Sequence, residues 1–227
     1  KQLERDFRKD RSMKKITAII PVRKGSERVK NKNIKAFAES NLLQIKINQL
    51  KSIQLIDNII VSSDCDRMLS IAQNSGVITH KRDDYYASST ATNSEFFCNL
   101  AKSFDCKYMM YSPVTCPLIS RETFIECIEK FHVNRNVVTV SPVKHHLWLN
   151  NKPLNYDIRK SPNSQDLPDI YQITYGVCLI SREDMMEFKN VVTDEPTFKV
   201  LNEIESVDID TEFDFMIAEN IYKQLRQ

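Results

Sequence analysis

Glycine is scarce in this chain of 227 residues, which contains only Gly25, Gly76 and Gly176. A phosphate-binding loop of the Walker type needs a second glycine just before its Lys-Ser or Lys-Thr pair, and a dinucleotide fingerprint needs three glycines close together. The spacing of these three glycines satisfies neither pattern. The sequence therefore excludes both of the common glycine-rich nucleotide sites.

Long apolar runs are also missing, because no stretch approaches the roughly 20 residues that a membrane-spanning helix requires. We therefore expect a soluble protein that does not contact a membrane. None of the six cysteines belongs to a Cys-x-x-Cys pair. Free thiols in a cytoplasmic protein are the expectation, rather than disulfides or a zinc site.

The net charge of +2 is small, and segment 1–12 carries all of the excess. From residue 13 onward cations and anions balance, so charge does not indicate a nucleic-acid-binding surface. Segment 1–12 has no apolar core and does not resemble a signal peptide, and we treat it as an N-terminal extension. The hydrophobic content of 41% then fits one α/β domain over residues 13–227.

The first predicted strand leads into a strongly basic loop. Residues 16–22 are largely β-branched and uncharged, as in a strand that is buried on both faces of a parallel sheet. Five cations follow within ten residues, namely Arg23, Lys24, Arg28, Lys30 and Lys32. Such a loop is either a solvated basic surface or a cradle for a polyphosphate. Its position after the first strand, where open α/β sheets bind ligands, favours the polyphosphate.

Apolar periodicity predicts alternating strands and helices along the rest of the chain. Strands are predicted at 58–62, 77–80, 108–111, 136–142 and 174–180. Helices are predicted at 41–53, from near Cys65, at 93–104, at 120–131, after the capping pattern that starts at Ser181, and along a C-terminal apolar stripe. Residues 143–168 lack periodicity, which is typical of a functional segment or an interface. The pattern is that of an α/β protein with a mainly parallel sheet between two helical layers.

A polar cluster follows the second predicted strand and reads Ser-Ser-Asp at 62–64. It belongs to the same edge of the sheet as the basic loop. Asp64 either contacts a nucleotide or caps the helix that begins near Cys65, and the sequence favours the capping role.

An acidic stretch near the C-terminus, residues 206–214, reads Ser-Val-Asp-Ile-Asp-Thr-Glu-Phe-Asp. If residues 205–210 are extended, Asp208 and Asp210 lie on one face and the apolar residues between them face the core. Two such carboxylates suit Mg²⁺, with Mn²⁺ as a substitute, because magnesium takes one or two carboxylates plus substrate phosphates. The alternative is that Asp210 only caps the last helix, where Thr211 with Asp214 is a competing signal.

The basic loop after the first strand and the acidic stretch near the C-terminus together resemble a known family. The segment PVRKGSER at 21–28, followed by Lys32 and Asn33, resembles the nucleotide-binding signature of the acylneuraminate cytidylyltransferases, which are CMP-sialic acid synthetases, and of their relatives for other nonulosonic acids. DIDTE at 208–212 is nearly identical to a motif of the same family. The resemblance implies a Rossmann-like fold of the nucleotide-diphospho-sugar transferase type. It also implies Mg²⁺-dependent transfer of CMP from CTP to the anomeric hydroxyl of an acidic nine-carbon sugar, with release of pyrophosphate.

The resemblance further implies roles for individual residues. The expected catalytic residues are Arg23, Lys32 and Asp210, and the expected metal ligands are Asp208 and Asp210. The expected substrate-binding residues are Arg23, Gly25, Ser26, Arg28, Lys32, Asn33, Arg82, Ser89 and Lys144. For Arg82, the alternative is an ordinary solvated arginine.

The chain departs from the family pattern at several positions. Glu27 stands where lysine is usual, Ser89 where aspartate is usual, Asn163 just before Gln-x-Leu-Pro where arginine is usual, and Tyr175 where asparagine is usual. Lys144, Arg159 or Lys160 is then left to take the carboxylate of the sugar. The departures keep two alternatives open. One is a nucleotidyltransferase for another sugar or sugar acid such as 3-deoxyoctulosonate, and the other is a catalytically silent dimeric nucleotide-binding homologue.

In the resembled family, the region that corresponds to about 143–170 is a protruding arm that swaps across a homodimer. The resemblance implies the same arm here, near the sugar site of the partner, and an exposed Trp148 would suit it. His145 and His146 are adjacent on an extended segment and point in opposite directions, which favours packing or hydrogen bonding over a shared metal.

Overall fold

The computed structural model describes residues 14–26 and 28–226. The predicted extension at 1–12 and the departure at Glu27 therefore lie outside the described residues. The strands are β1 Ile16–Pro21, β2 Ala36–Phe37, β3 Ser40–Asn41, β4 Ile56–Ser63, β5 Ile78–Lys81, β6 Tyr108–Tyr111, β7 Val137–Val143, β8 Trp148–Leu149, β9 Lys152–Pro153, β10 Ile170–Ser181 and β11 Thr197–Val200. The α-helices are α1 Leu42–Lys51, α2 Asp66–Asn74, α3 Asp84–Ala87, α4 Asn93–Lys102, α5 Arg121–Val133, α6 Arg182–Phe188 and α7 Glu212–Gln224.

A mixed sheet of seven strands runs through this part of the chain in the order β11-β7-β10-β6-β1-β4-β5. β1 pairs in parallel with β4 and β6, β4 with β5, and β7 with β11. Only β10 runs the other way, antiparallel to both β6 and β7. The prediction of a mainly parallel sheet is confirmed, and the carboxyl ends of β1, β4, β5 and β6 meet at one edge.

Helices cover both faces of the sheet, as the alternation along β1 shows. Ile16, Ala18 and Ile20 pack into one apolar cluster with side chains of α1, α2, α5 and α7. Ile19 points to the other face and packs into a second cluster with side chains of α4 and α6. Because successive side chains of a strand point to opposite faces, the two clusters form the two sides of a three-layer αβα arrangement, as predicted.

Several elements differ from the sequence predictions. Residues 81–90 are not a continuous loop, because helix α3 begins after Asp83, whose carboxylate accepts the backbone N–H of Tyr85 at 2.8 Å. Strand β11 and the two-residue strands β2, β3, β8 and β9 were not predicted, since no continuous apolar run marks them in the sequence. Extended chain throughout 205–210 is wrong at its start, because residues 203–206 form a turn. The buried Glu205 carboxylate closes that turn by accepting N–H groups of Ser120 and Asn202.

All six cysteines are free thiols, as expected. Among the described residues, no helix is both long and apolar enough to cross a membrane.

The segment between β7 and β10 carries little regular structure. It contains the β8–β9 hairpin and two short 3₁₀ turns at Ile158–Lys160 and Ser164–Asp166. His146 packs against the ring of Tyr156, and its Nε2 lies 3.1 Å from the carbonyl oxygen of Pro162. This is the packing and hydrogen bonding that the sequence favours for the histidines. Four large apolar side chains of the segment are more than half exposed, namely Trp148, Leu149, Leu154 and Ile158.

Candidate active site

A cleft of about 670 Å³ opens at the carboxyl edge of the parallel strands. It brings together most of the predicted site residues, which come from both ends of the chain. Those that line it are Arg23, Ser26, Arg28, Lys32, Asn33, Arg82, Ser89, Asp208 and Asp210. Gly25 and Lys144 do not line it.

The loop after β1 is held in place by contacts with its surroundings. The backbone N–H of Lys24 donates to the carboxylate of Asp64 at 2.9 Å, and the Arg23 guanidinium donates to the carbonyl of Ala87 at 2.9 Å. Asn33 is buried and its amide donates to the Arg23 carbonyl at 3.0 Å. Gly25 adopts a φ of +80°, which glycine tolerates better than any residue with a Cβ. These contacts therefore fix the backbone that carries the cations of the loop.

Asp64 has a different role from the one that its sequence position favours. The N-terminal residue that flanks α2 is Cys65, and the Cys65 side chain does not cap this helix. The Asp64 carboxylate instead fixes the basic loop through Lys24. The expectation of a helix cap is wrong, because the Asp64 carboxylate accepts a hydrogen bond from the backbone of Lys24, which lies 40 residues earlier in the chain.

The basic loop after β1 and the acidic stretch near the C-terminus are in direct contact. An Arg28 guanidinium nitrogen lies 2.7 Å from Oδ1 of Asp210, and the Lys32 ammonium lies 3.9 Å from the same oxygen. Lys32 also donates to the carbonyl of Ile209 at 2.5 Å. Burial lowers the pKa of Lys32, and the carboxylate of Asp210 opposes part of that shift. The cations and carboxylates thus share one electrostatic site.

The loop after β6 contacts Asp208. Its carboxylate accepts a hydrogen bond from the Thr115 side chain, and Sγ of Cys116 lies 3.8 Å from Oδ1. Loss of hydration raises the pKa of Asp208, and the nearby charge of Asp210 raises it further. Thr115 also binds the backbone between the two aspartates, since its carbonyl accepts the N–H of Ile209 at 2.9 Å. Sequence reasoning missed Thr115, whose only signal is its position in the loop after β6.

Asp210 does not cap the last helix. Thr211 is the N-cap of α7, and it forms a reciprocal capping box with Asp214. Ile209 is fully buried between the two aspartates. The carboxylate of Asp210 is therefore left to face the cleft, where it pairs with Arg28.

The donor set of the two aspartates fits a hard divalent cation. The carboxylates of Asp208 and Asp210 both line the cleft, and their mutual repulsion is the kind that a cation relieves. Within the described residues, no cluster of three or more histidine, cysteine, aspartate or glutamate side chains is placed to hold a metal. A cation here would thus depend on oxygen atoms of a substrate or water to complete its shell.

Arg82 is not a solvated surface arginine. Its side chain is buried, it donates to the carbonyl of Val22 at 2.5 Å, and its guanidinium lies 5.1 Å from the centre of the Phe96 ring. Within the described part of the chain, its Nε has no hydrogen-bond partner although it is buried. Burial lowers the pKa of Arg82. Ser89 lies on the same wall of the cleft and is exposed.

Lys144 lies at the start of the irregular segment. Its ammonium pairs with the carboxylate of Asp169 at 2.6 Å and donates to the carbonyl of Leu167 at 2.8 Å. The structure therefore does not bring Lys144 to the cleft of its own chain.

Comparison with known proteins identifies the family. The model of the family described as "Cytidylyltransferase" matches residues 17–225. The chain belongs to the cytidylyltransferase family. The resemblance seen in the sequence motifs is thereby confirmed, and the protein is a nucleotidyltransferase.

Two curated relatives are similar to this cytidylyltransferase over nearly their whole length. It is 26% identical over 228 residues to a pseudaminic acid cytidylyltransferase of Campylobacter jejuni, covering 92% of this chain and 97% of that protein. It is 25% identical over 222 residues to a CMP-N,N'-diacetyllegionaminic acid synthase of Legionella pneumophila, covering 91% of this chain and 96% of that protein.

A solved structure supports the fold of the cytidylyltransferase. The CMP:2-keto-3-deoxy-manno-octonic acid synthetase complexed with CTP aligns with a TM-score of 0.66 at 10% identity, covering 93% of this chain and 99% of that one. At that identity the likeness concerns the fold alone.

Proposed function

We propose that this cytidylyltransferase transfers CMP from CTP to the anomeric hydroxyl of a nonulosonic acid, giving a CMP-sugar and pyrophosphate. The observation that carries the proposal is the meeting of Arg23, Arg28 and Lys32 with Asp208 and Asp210 in one cleft. Cations alone would indicate only anion binding, whereas cations beside a carboxylate pair suit transfer of a phosphoryl group. The named acceptors of the two relatives, pseudaminic and diacetyllegionaminic acid, support a sugar acid of this class.

The reaction forms a bond from the anomeric oxygen to the α-phosphorus of CTP and breaks the bond from that phosphorus to the bridging oxygen. The acceptor proton passes to water, and pyrophosphate leaves with the bridging oxygen. The chain contributes positioning and charge neutralisation, and no nucleophilic side chain is needed. Arg23 and Lys32 stabilise negative charge on the α-phosphate and on the departing pyrophosphate.

The other loop residues bind or position the nucleotide. Ser26 and Arg28 contact phosphate oxygens, and Gly25 provides the turn that lets backbone N–H groups face them. Asn33 acts by holding the carbonyl of Arg23, since its amide is already bound there. At the other wall, Arg82 and Ser89 contact the nucleoside, since both residues line the cleft.

Asp208 and Asp210 would hold a magnesium ion, for which manganese is the expected substitute. When bound, such an ion supplies Lewis-acid polarisation of phosphate oxygens. The chain's own part is to turn both carboxylates to the cleft. Thr115 and the buried Ile209 fix their direction, and the charge of Lys32 opposes part of the rise in the pKa of Asp208.

The test is pyrophosphate release with a panel of substrates. CTP would be offered with magnesium and N-acetylneuraminic, legionaminic, pseudaminic or 3-deoxyoctulosonic acid, and each reaction would be repeated with UTP, ATP and GTP. We expect release with CTP and at least one nine-carbon acid, well above every other nucleotide. Preference for 3-deoxyoctulosonic acid would make the protein a nucleotidyltransferase for another sugar acid. CTP binding without release from any acid would indicate a silent homologue and contradict the proposal.

The arm at about 143–170 forms a homodimer contact in the same proposal, reaching toward the sugar site of the partner subunit. Support comes from Trp148, Leu149, Leu154 and Ile158, which are large, apolar and more than half exposed on one short segment. In a swapped dimer, Lys144 is the candidate of this segment for the sugar carboxylate. The free cysteines and the use of CTP support a cytoplasmic location.

The variant Leu149→Asp tests the arm. A charge within an apolar contact between subunits is costly to desolvate, so we expect wild type to sediment as a dimer and the variant to shift toward monomer at micromolar concentration. Val133→Asp is a matched control, because Val133 is 85% exposed at the end of α5 and strand β7 separates it from the arm. A monomeric wild type, or a variant that dimerises as tightly as wild type, would contradict the swapped arm.

A further inference from the structure

Tyr175 has a backbone conformation that is unusual for its residue type. Its φ is +57°, in the left-handed region that glycine and asparagine tolerate and that bulky aromatic residues avoid. It lies within β10, at the place where pairing with β7 shifts register between Ile173 and Cys178. Strained residues of this kind persist only where their surroundings hold them, and they cluster at functional sites.

The irregularity around Tyr175 is fixed by buried polar side chains. The Thr139 hydroxyl accepts the N–H of Val177 at 3.0 Å, and the Thr174 hydroxyl donates to the Thr139 carbonyl at 3.1 Å. The Ser112 hydroxyl donates to the carbonyl of Gly176 at 3.0 Å. The side chains that make these bonds are almost fully buried. The backbone on both sides of Tyr175 is therefore held from inside the core.

Gly176 allows the irregular strand to pack closely on the loop after β6. A Cβ added to Gly176 would lie 2.3 Å from Cδ1 of Ile119 and 3.4 Å from Cβ of Cys116. This is the loop that contacts Asp208 through Cys116. Bulges next to active sites commonly redirect a side chain, and here the chain beside Gly176 turns Tyr175 to the cleft.

Tyr175 comes from a different part of the sheet than the residues assigned to the nucleotide. The phosphate loop follows β1 and Arg82 follows β5, on one side of the sheet order. Tyr175 on β10 and Thr115 after β6 line the cleft on the other side, with Asp208 also in its lining. A substrate that attacks the α-phosphate must approach from the side that the nucleotide leaves open. That side is the wall formed by β6 and β10.

The side chain of Tyr175 is available to a ligand. It is half-buried, with part of the ring packed on the apolar cluster that includes Tyr111. Within residues 14–26 and 28–226, its hydroxyl makes no hydrogen bond. Tyrosine combines a flat apolar face with a polar tip, and such a side chain is suited to a ligand with both C–H surfaces and hydroxyl groups.

We propose that Tyr175 is a specificity-determining residue that binds the acceptor sugar acid, with its ring against a C–H or acyl face and its hydroxyl bonded to a polar group of the sugar. This inference rests on the proposed function. It assigns to the acceptor a wall of the cleft to which the nucleotide-binding residues do not contribute.

Steady-state kinetics of Tyr175→Asn and Tyr175→Phe test the inference, with the sugar acid that wild type turns over fastest in the panel. Asparagine tolerates a positive φ, so Tyr175→Asn removes the ring while it preserves the backbone. We expect the KM for the acceptor to rise at least about tenfold and the KM for CTP to stay within about twofold, a split equal to the loss of roughly 1.4 kcal/mol of acceptor binding. Tyr175→Phe, which loses only the hydroxyl, should show a smaller rise.

Thermal unfolding separates this role from a structural one. Tyr175→Asn relieves strain but also removes the packed part of the ring, so we expect a melting temperature close to that of wild type. Tyr171→Asn is the matched control, because Tyr171 lies on the same strand, packs on Phe198 and does not line the cleft. It should leave both KM values unchanged.

Two results would overturn the inference while the proposed function stands. One is an unchanged acceptor KM in Tyr175→Asn, and the other is an equal rise of both KM values together with a lower melting temperature. A wild-type protein that is inactive with every sugar acid is a different failure. It would refute the proposed function, and the inference with it.

Discussion

Asp210→Asn is expected to lower turnover about 10²–10³-fold with little change in stability, because removal of one preorganised charged group typically has an effect of this size. Asparagine keeps the shape of the side chain and removes the charge that a divalent cation needs. The interaction with Arg28 that this substitution weakens is an ion pair between side chains that are 66% and 47% exposed. Pairs of that kind contribute less than about 1 kcal/mol. Turnover and urea denaturation of the same preparation measure the two effects.

Glu212→Gln provides the control for Asp210→Asn. Glu212 lies two residues further along, is 57% exposed and pairs with Lys35 at 2.6 Å, so it is a similarly exposed and paired carboxylate that does not line the cleft. We expect its turnover to stay within about twofold of wild type, since an exposed pair has little influence beyond its neighbours. Turnover of Asp210→Asn within a few fold of wild type would show that Asp210 does not serve the reaction.

Lys46→Met is expected to stabilise the protein at pH 7. Lys46 is fully buried in α1, where its ammonium donates to the carbonyl of Cys116 at 2.9 Å and lies 5.1 Å from the centre of the Phe124 ring. Burial lowers the pKa of Lys46 from its ordinary 10.5 to about 8. A shift of this size corresponds to roughly 3 kcal/mol of destabilisation when the side chain is charged. Methionine fills a similar volume, and loss of the hydrogen bond offsets about 1 kcal/mol of the gain.

The dependence on pH follows from the direction of that shift. Below pH 8, both the folded and the unfolded chain hold the proton, and the destabilisation is complete. Between pH 8 and 10.5, the folded chain has released the proton while the unfolded chain keeps it, so stability rises with pH. The advantage of Lys46→Met should therefore shrink by about 1 kcal/mol between pH 7 and pH 9.

Urea denaturation of wild type and Lys46→Met at pH 7 and pH 9 measures the difference, and other titrating groups cancel in the subtraction. Lys51→Met is the matched control, because Lys51 lies on the same helix and is exposed. Its effect should stay within about 0.5 kcal/mol at both values of pH. A Lys46→Met protein that is less stable than wild type at pH 7 would contradict the burial of a charged lysine.

Much of the fold could be predicted from the sequence, because the central strands are short β-branched runs and the helices have clear apolar stripes. Strand β6 was predicted at its observed limits, and Ser120 and Ser181 cap the helices that follow them. The same apolar pattern also includes a buried charged residue, Lys46. It lies four residues after Leu42 and four before Leu50, on the apolar face of α1, so helical spacing already indicates its burial.

The remaining features depend on contacts between distant parts of the chain. The sequence around Asp64 does not indicate that its carboxylate accepts the N–H of Lys24. The sequence around Thr115 does not indicate its hydrogen bond to Asp208. The φ of Tyr175 is imposed by Thr139, Thr174 and Ser112 across three strands and loops. Such contacts override local preference. For the same reason, the resemblance of motifs could indicate that the basic loop and the aspartates share a site, while the pairing of Arg28 with Asp210 required the structure.

Transfer of an isotope label tests the central claim most directly. A sugar acid that wild type accepts would be labelled with ¹⁸O at its anomeric hydroxyl by exchange in labelled water, and the products with CTP would be analysed by mass spectrometry. Attack of the anomeric oxygen on the α-phosphorus predicts that the label is retained in the CMP-sugar and absent from pyrophosphate. A CMP-sugar that has lost the label while the unreacted sugar acid still carries it would mean that a phosphate oxygen attacks the sugar carbon and the labelled oxygen leaves as water, and that result would contradict the account.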